Sequence, residues 1–549
     1  MKIGKPERYL DAVIIGAGFG GVYALYKLRN LGLNVCALEA GVGIGGTWFW
    51  NRYPAARCDV ESLQYSYSFS PELQEEWKWP ERYSAQPDLL AYINHVVDRF
   101  ELRPLVETNT RVTAAVFNDA TNLWTVETDK GEVIHAQYCI MATGNLSITN
   151  VPAFKGLESF KGKWFHTGNW PRQRVDFSGL RVGVVGTGSS GIQVIPEIAR
   201  EAAHLHVFQR TPNYCVPAAN RPLDAQTDSA YKKNYAERRR EALDTPFCMG
   251  GFPAPIHRAL DVSDDERNRT YQKKWEFGGA VSFLYSYKDL LIDKQANHTA
   301  AEFVRKKIRE IVRNPNVAEL LCPIDYPIGA KRLCVSDSYY ETYNRENVTL
   351  VDVRDAPIIE ITSDGLRTKA AHYELDALVF ATGFDAITGA LSEIEVRGSG
   401  GRTLRQAWAA GPRSYLGLMV AGFPNMFLIT GPQSPSVKAN MVCAIEQHVN
   451  WIGDCLKSIE AREAVRIEAN QDAQDAWVEY SNRIVENTLY PLAESWYSGA
   501  NIPGKPRSFA LFVGGFEAFR HKCDEVAANG YEGFVISQSS ARTRISSEA

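Results

Sequence analysis

Two glycine-rich turns constrain this chain most, because each follows a short apolar run and precedes a stretch that can form a helix. Their sequences are Gly16-Ala17-Gly18-Phe19-Gly20-Gly21 and Gly186-Thr187-Gly188-Ser189-Ser190-Gly191. In this pattern the first glycine allows a tight turn, the second lets the backbone approach a pyrophosphate, and the third permits close packing of helix on strand. The helix N-terminus then offers free N–H groups to the phosphates. The pattern favours two dinucleotide-binding units over two merely structural turns.

The residues that follow the second strand of each unit predict which nucleotide it binds. Glu39 ends the second strand of the first unit, where a carboxylate can accept hydrogen bonds from a ribose diol and would repel a 2′-phosphate. FAD has no such phosphate, so FAD suits this unit. The matching position of the second unit holds Gln209-Arg210-Thr211, and Arg210 can pair with a 2′-phosphate unless it is only a surface arginine. NADPH is therefore favoured over NADH there.

The order of motifs predicts an α/β chain with two Rossmann-like domains, each closed by an Ala-Thr-Gly segment at 142–144 or 381–383. The second unit is longer, and its extra residues are charge-rich and helix-compatible, which indicates a helical insertion. We expect its charge runs to be solvated helix faces. The expected division is an FAD-binding domain of 1–150 and 385–549, an NADP-binding domain of 151–218 and 331–384, and an insertion of 219–330. A further strand at 425–430 and a helix from 440 to 456 should pack on the first unit, whereas residues 537–549 should be disordered.

Composition and charge exclude several classes of protein. The chain has 60 Lys and Arg against 64 Asp and Glu, a balance that argues against a nucleic-acid partner. It has no apolar run long enough for a membrane span and no signal-peptide core in residues 1–8, so we expect a cytoplasmic protein. The ten cysteines include no C-x-x-C pair and are expected to be buried, reduced thiols, with no metal site. No obligate protein partner is indicated.

The segment from Phe160 to Pro171 fits the pattern F-x-G-x-x-x-H-x-x-x-W-P and resembles the fingerprint of type I Baeyer–Villiger monooxygenases. The resemblance extends to the segments at 45–48, 51–54, 57–59, 327–332, 381–385 and 495–505. One departure is Ala55, where the family commonly has Gly, and we expect only a slight backbone adjustment there. By spacing alone His166 could be a core histidine, and the fingerprint could serve conformational coupling between domains.

The resemblance implies an enzyme that uses FAD, NADPH and O2 to oxygenate a small-molecule ketone. In that family NADPH reduces the flavin, O2 adds to give a C4a-peroxide, and this anion attacks the ketone to yield an ester or lactone. Arg332 matches the family's active-site arginine; a guanidinium stabilises an anion without donating a proton near neutral pH. Asp59 could hold that arginine, unless it caps a helix or forms a surface ion pair. Lys331 could join Arg210 at the 2′-phosphate, and Trp496 could pack on the cofactor or merely anchor its loop.

The predicted catalytic residues are Arg332 and Asp59, and Ser434, Ser436 and Met441 could line the substrate pocket. Whether the ketone is cyclic or linear stays open. The predicted cofactor-binding residues are Gly16, Gly18, Phe19, Gly21, Glu39, Gly46, Thr47, Trp48, Asp59, Tyr65, Thr187, Gly188, Ser189, Ser190, Gln193, Arg210, Thr211, Lys331, Arg332 and Trp496.

Three other functions compete with this interpretation. A flavin monooxygenase that oxygenates N or S is disfavoured by Trp170-Pro171 and by the Arg332 segment. A pyridine-nucleotide disulfide reductase shares the two-unit plan but needs a redox cysteine pair, which the sequence lacks at C-x-x-C spacing. A non-catalytic NADP sensor would bind nucleotide without consuming O2.

Overall fold

The computed structural model describes residues 7–538, which form an α/β structure. The strands are β1 (Arg8–Ile15), β2 (Val35–Leu38), β3 (Val106–Glu107), β4 (Val112–Asn118), β5 (Leu123–Thr128), β6 (Val133–Met141), β7 (Lys163–His166), β8 (Arg181–Val185), β9 (His204–Gln209), β10 (Cys215–Val216), β11 (Cys334–Val335), β12 (Val348–Asp352), β13 (Ile358–Thr362), β14 (Gly365–Thr368), β15 (His372–Glu374), β16 (Ala377–Phe380), β17 (Glu395–Arg397), β18 (Met426–Leu428), β19 (Ala464–Ala469) and β20 (Phe534–Gln538). The helices are α1 (Phe19–Asn30), α2 (Thr47–Trp50), α3 (Pro71–Glu76), α4 (Gln86–Arg99), α5 (Ser189–Glu201), α6 (Ala225–Lys232), α7 (Tyr235–Leu243), α8 (Asp264–Phe277), α9 (Ala280–Leu284), α10 (Lys294–Ile311), α11 (Pro315–Leu321), α12 (Tyr339–Thr342), α13 (Gly389–Ser392), α14 (Leu404–Ala407), α15 (Met441–Ala461), α16 (Gln471–Glu486) and α17 (Phe516–Ala528).

The first glycine turn belongs to a sheet of order β17-β4-β5-β6-β1-β2-β3, with β18 pairing with β6. β1 lies between β6 and β2 and is parallel to both, so its buried C-terminal residues have neighbours on either side. Near-continuous apolar runs are typical of such central parallel strands, because both faces of the sheet are covered. The predicted βαβ unit is confirmed.

The second glycine turn belongs to a five-stranded parallel sheet of order β12-β9-β8-β16-β7. β8 and β9 form the predicted strand pair on either side of α5. The fingerprint segment contributes the edge strand β7, which pairs with β16 so that His166 lies opposite Phe380. The fingerprint is therefore part of this sheet and not only a connection between units.

Between β10 and β11 the structure has the helices α6 to α11, and these two short strands pair in parallel with Cys215 opposite Cys334. The chain thus enters and leaves this group of helices at one place, through a separate two-stranded sheet. The expectation that the charge runs here are only solvated faces is wrong at two residues. The ammonium of Lys232 is buried and donates to the carbonyl of Trp77 at 2.6 Å. The guanidinium of Arg239 donates to the carbonyls of Gln64 (2.7 Å) and Ser66 (2.9 Å), which fixes the helices to the first unit.

The segment after residue 385 packs on the first unit, as predicted. β17 pairs with β4 and β18 pairs with β6. Asn450 of α15 accepts hydrogen bonds at 2.9 Å from Tyr23 and Lys27 of α1. The expectation of disorder from residue 537 is wrong for Ser537 and Gln538, which pair in β20 with β19. Residues 539–549 lie outside the described part of the chain.

The cysteines differ from the sequence prediction at one pair. Cys248 and Cys443 form a disulfide with a Cα–Cα distance of 6.5 Å, although 195 residues separate them in sequence. Cys248 follows α7 and Cys443 lies in the first turn of α15, so the contact depends on packing that spacing does not reveal. The other eight cysteines are free and buried.

Within residues 7–538 no helix is long and apolar enough to cross a bilayer, and no group of three or more His, Cys, Asp or Glu could hold a metal ion.

Candidate active site

The first glycine turn is built by close backbone contacts. Gly16 has φ of +105°, and a Cβ there would lie 2.5 Å from the carbonyl oxygen of Ala142, at the end of the strand next to β1. A Cβ on Gly21 would collide with the carbonyl oxygen of Gly16. Gly46 has φ of +55°, and a Cβ there would lie 2.7 Å from the Cα of Gly18. The glycines therefore bring the start of α1 and the loop before α2 into direct contact.

Glu39 and the aromatic residues of the first unit surround this turn. The buried carboxylate of Glu39 accepts hydrogen bonds from the N–H groups of Ala17 (2.8 Å) and Gly41 (2.7 Å). Burial raises its pKa above the usual range, and the two N–H donors oppose that rise. Phe19, Trp48 and Tyr65 are buried together; the indole N–H of Trp48 donates to the hydroxyl of Tyr65 at 3.2 Å. Thr47 begins α2 beside them.

The second glycine turn repeats the geometry of the first. Gly186 has φ of +108°, and a Cβ there would lie 2.6 Å from the carbonyl oxygen of Ala381. A Cβ on Gly191 would collide with the carbonyl oxygen of Gly186. Gly188 has the same φ of −80° and ψ of −167° as Gly18, and neither helix N-terminus is capped by a side chain. A Cβ on Gly188 would meet no protein atom within 4 Å, so this position faces open space.

The polar side chains of the second turn differ in what they contact. The buried hydroxyl of Thr187 donates to the carbonyl of Thr211 at 3.0 Å, which fixes the ends of β8 and β9 together. Ser189 is exposed, with its Oγ 3.3 Å from the Sγ of Cys334. Ser189 is therefore the side chain of this turn that remains most open to a ligand.

Gln193 and Ser190 contact the first unit. The Gln193 side-chain carbonyl accepts from the Tyr53 hydroxyl at 2.7 Å, and its amide N–H donates to the carbonyl of Arg57 at 3.1 Å. Ser190 lies close to the Tyr53 hydroxyl. Both polar groups of Gln193 are thus occupied, so it joins α5 to the 53–57 segment. That segment contains Ala55, whose φ of +61° is a left-handed conformation. The backbone adjustment at Ala55 is therefore larger than the slight one expected from the sequence.

Arg210 and Lys331 come together beyond the end of β9. Arg210 is exposed, and the ammonium of Lys331 lies 4.5 Å from the centre of the Tyr326 ring. Burial lowers the pKa of Lys331, and the positive charge of Arg210 lowers it further. Two cations that repel each other in this way present a site for a dianion such as a 2′-phosphate.

Arg332 and Asp59 meet although 273 residues separate them, which confirms the predicted contact. The guanidinium Nε and Nη2 donate to the two carboxylate oxygens at 2.7 and 2.6 Å, and Nη1 donates to the carbonyl of Val437 at 2.7 Å. Burial raises the pKa of Asp59, but the charge and hydrogen bonds of Arg332 outweigh it and hold that pKa below the ordinary value. The same carboxylate raises the pKa of Arg332 against the effect of burial, so the guanidinium stays charged. This bidentate pair lies where both dinucleotide units and the 434–438 segment meet.

The loop from 495 to 505 is anchored beside this pair. Asn501 donates to the carbonyl of Phe384 at 2.7 Å, and Lys505 forms an ion pair with Asp385. Trp496 is partly buried, with its ring 4.5 Å from that of Tyr497. Tyr497, which sequence reasoning missed, is buried close to Arg332, and the positive charge of that arginine opposes the rise that burial causes in the Tyr497 pKa.

His166 of the fingerprint is buried in the second unit. Its Nδ1 accepts from the N–H of Gly168 at 3.0 Å, and its Nε2 lies 3.2 Å from the hydroxyl of Thr382. Burial lowers its pKa to about 4, so the imidazole is neutral near pH 7. Trp170 is buried against Phe165 and Phe177. The fingerprint side chains thus join β7 to the Thr382 end of β16.

A second residue missed by sequence reasoning is Lys438, at the end of the short 3₁₀ helix Ser436–Lys438. Its ammonium lies 4.5 Å from the centre of the Tyr490 ring and 5.2 Å from that of Tyr497. The sequence signal that could have identified Lys438 is that it is the one charged residue in the stretch from 431 to 445. Ser434 and Ser436, predicted to line the pocket, are fully buried in the same segment.

Comparisons with known proteins agree with this architecture. Residues 13–234 match the family described as pyridine nucleotide-disulphide oxidoreductase, a span that contains both glycine turns. A Baeyer–Villiger monooxygenase of Pseudooceanicola batsensis is 44% identical, and the alignment covers 96% of each chain. A phenazine N-monooxygenase of Lysobacter antibioticus is 41% identical over 97% of this chain and 98% of its own.

Solved structures show the same similarity. A steroid monooxygenase bound to NADP is 50% identical, with a TM-score of 0.93 over 97% of this chain and all of its own. A complex of the monooxygenase OTEMO with FAD and NADP is 40% identical, with a TM-score of 0.92 over 96% of this chain and 99% of its own. The fold, the order of the motifs and relatives above 30% identity along nearly the whole chain therefore make this protein an enzyme of the Baeyer–Villiger monooxygenase family.

Proposed function

We propose that this enzyme uses FAD, NADPH and O2 to insert one oxygen atom next to the carbonyl of a small-molecule ketone, giving an ester or lactone. The observation that carries the proposal is the bidentate contact of Arg332 with Asp59 at the junction of the two dinucleotide units. A permanent cation held there is the group that an anionic oxygen nucleophile needs. Similarity to a Baeyer–Villiger monooxygenase along 96% of the chain supports the same reaction.

The two glycine turns fit FAD and NADPH. Each turn ends at a helix N-terminus without a side-chain cap, so the first N–H groups of α1 and α5 are available to a pyrophosphate. Open space in front of Gly188 leaves room for that group. Glu39 on the first unit suits the ribose diol of FAD, and Arg210 with Lys331 on the second suits a 2′-phosphate. We assign the units to 1–150 with 385–549 and to 151–218 with 331–384.

Bound FAD, reduced by NADPH, supplies the chemistry that activates O2. The chain supplies position and charge. Arg332 cannot donate its proton near neutral pH, so it stabilises negative charge on the attacking oxygen without quenching it. Asp59 and the carbonyl of Val437 fix three guanidinium N–H groups, which leaves the remaining donors for the reacting atoms. The 495–505 loop is anchored through Asn501 and Lys505, and we expect it to shield the reacting atoms from water.

The test compares Arg332→Ala and Arg332→Lys with the control Arg174→Ala, which removes an arginine whose side chain is 80% exposed. We expect Arg332→Ala to keep flavin reduction by NADPH and to lose ester formation by at least about 100-fold. Arg332→Lys keeps the charge without the bidentate geometry and should fall between that variant and the wild type. An unchanged ester yield from Arg332→Ala would refute the assignment.

The substrates in that assay also separate the competing functions. A ketone and an amine of similar size are offered with NADPH in an oxygen electrode, and the products are identified by mass. The proposed reaction predicts an ester from the ketone. N-oxide as the sole product would favour an N-oxygenase, the activity that the Lysobacter relative is named for. Nucleotide binding without O2 consumption would favour a sensor.

A further inference from the structure

Lys438 is a cation without a counter-charge in the candidate active site. Its ammonium lies over the rings of Tyr490 and Tyr497, which contact each other edge to face and are both buried. Among residues 7–538, no carboxylate lies within ion-pair distance of this ammonium, and no side chain or carbonyl accepts a hydrogen bond from it. The Lys438 side chain is half-buried, so its ammonium is partly desolvated but still open to a ligand. A partly desolvated cation is stabilised by an anion, and this part of the chain supplies none.

The charged neighbour of Lys438 makes the position more unusual. Burial lowers the pKa of Lys438 to about 7, and the positive charge of Arg332 contributes to that shift. The carbonyl of Val437, the preceding residue, accepts from Arg332, and Tyr497 contacts both cations. Both carboxylate oxygens of Asp59 already accept hydrogen bonds from Arg332, so Asp59 does not neutralise Lys438. Two cations thus lie near each other beside Tyr497, with one carboxylate to balance them.

We propose that Lys438 binds a carboxylate on the ketone substrate, so that oxo acids are preferred over neutral ketones. This inference rests on the proposed function, because it names the substrate class of that reaction. The phosphates of the two cofactors have other partners at the glycine turns and at the Arg210–Lys331 pair. A single ammonium is a point charge suited to one monoanion, whereas Arg332 remains available for the reacting oxygen. The aromatic rings beside the ammonium reduce its contact with water, which strengthens its pairing with an anion.

The test uses FAD-loaded protein with NADP⁺ and measures calorimetrically the binding of two probes, 4-oxopentanoate and its methyl ester. Wild type should bind the acid about 10- to 100-fold more tightly than the ester, as expected for a charge-assisted hydrogen bond. Lys438→Met should remove this advantage and leave ester binding unchanged. Lys438→Arg should retain most of it. The control Lys155→Met removes a lysine whose side chain is 84% exposed and should behave as wild type.

The preference for the acid should also fall as pH rises above about 7. The groups that face Lys438 are Arg332, Tyr490 and Tyr497, with Asp59 held by Arg332. The arginine stays charged, burial raises the pKa of both tyrosines, and the pKa of Asp59 is lowered, so Lys438 alone changes charge in this range. A bound carboxylate raises the pKa of Lys438, which shifts the decline to higher pH for the complex.

Equal acid-to-ester affinity ratios in wild type and Lys438→Met would overturn the inference. Turnover of the same probes separates this failure from failure of the proposed function. Wild type and Lys438→Met could oxygenate the methyl ester equally while wild type shows no preference for the acid. That result would support the proposed reaction and refute carboxylate binding by Lys438. If the acid binds through Lys438 but neither probe yields an oxygenated product, the proposed reaction falls and the binding role stands.

Discussion

Replacing Gly188 by alanine separates a phosphate-binding turn from a structural one. Gly188 has φ of −80°, which alanine adopts freely, and the added methyl would meet no protein atom within 4 Å. Gly188 is also the residue before α5, where alanine is a somewhat poorer cap than glycine, but alanine restricts the unfolded chain. These effects oppose each other, so the free energy of unfolding should change by no more than about 1 kcal/mol.

The same methyl group should obstruct NADPH. It occupies the space through which a pyrophosphate approaches the N-terminus of α5, and the loss of one hydrogen bond to a charged oxygen costs about 1.5–3 kcal/mol. NADPH affinity should therefore fall about 10- to 150-fold. The assay pairs the melting temperature of the FAD-loaded protein with the NADPH concentration dependence of flavin reduction in a stopped-flow instrument.

Gly191→Ala is the matched control in the same turn, because its methyl would collide with the carbonyl oxygen of Gly186. That variant should lose melting temperature as well as NADPH affinity. Normal NADPH affinity in a well-folded Gly188→Ala would refute the reasoning and return the turn to a structural role. A large loss of melting temperature in Gly188→Ala would show that the added methyl group clashes with protein atoms and that there is no free space at this position.

Three further predictions follow from other sites. Arg210→Ala should raise the KM for NADPH about 10- to 100-fold and leave that for NADH unchanged, since only the 2′-phosphate is affected; an equal change for both would contradict the assignment. Ala55→Gly should raise the free energy of unfolding by about 0.5–1 kcal/mol, seen as a higher melting temperature, because Ala55 has φ of +61°. Thiol titration of the unfolded, unreduced protein should find eight free thiols, and ten after reduction, since Cys248 and Cys443 are paired.

The parts of the structure that local sequence determines were predictable. A glycine turn between an apolar strand and a helix specifies its own geometry, and both copies form as predicted around Gly16 and Gly186. The contact of Asp59 with Arg332 was also predictable, but only through the resemblance to a family, since no local rule links residues 273 positions apart. Their roles in catalysis stay predictions until the variants are measured.

Other features depend on packing that spacing does not encode. The disulfide of Cys248 with Cys443 forms because the end of α7 lies against the start of α15. Arg239 belongs to a charge run typical of a solvated helix face, yet its guanidinium is held by carbonyls of the first unit. Sequence analysis did not single out Lys438, because its significance comes from Tyr490 and Tyr497, which lie 52 and 59 residues further along the chain.

In laboratory evolution of this chain, a larger residue at position 18 could not be compensated by a change at position 46, nor the reverse. The Cα atom of Gly18 lies so near Gly46 that a methyl group on residue 46 would come within 2.7 Å of it, and one on residue 18 would lie 3.3 Å from the Cα of Gly46. Because both residues are glycine, neither can be replaced by a smaller residue that would accommodate a larger side chain at the other position. Saturation libraries gain nothing at these two codons, and diversity is better placed in the stretch from 434 to 441.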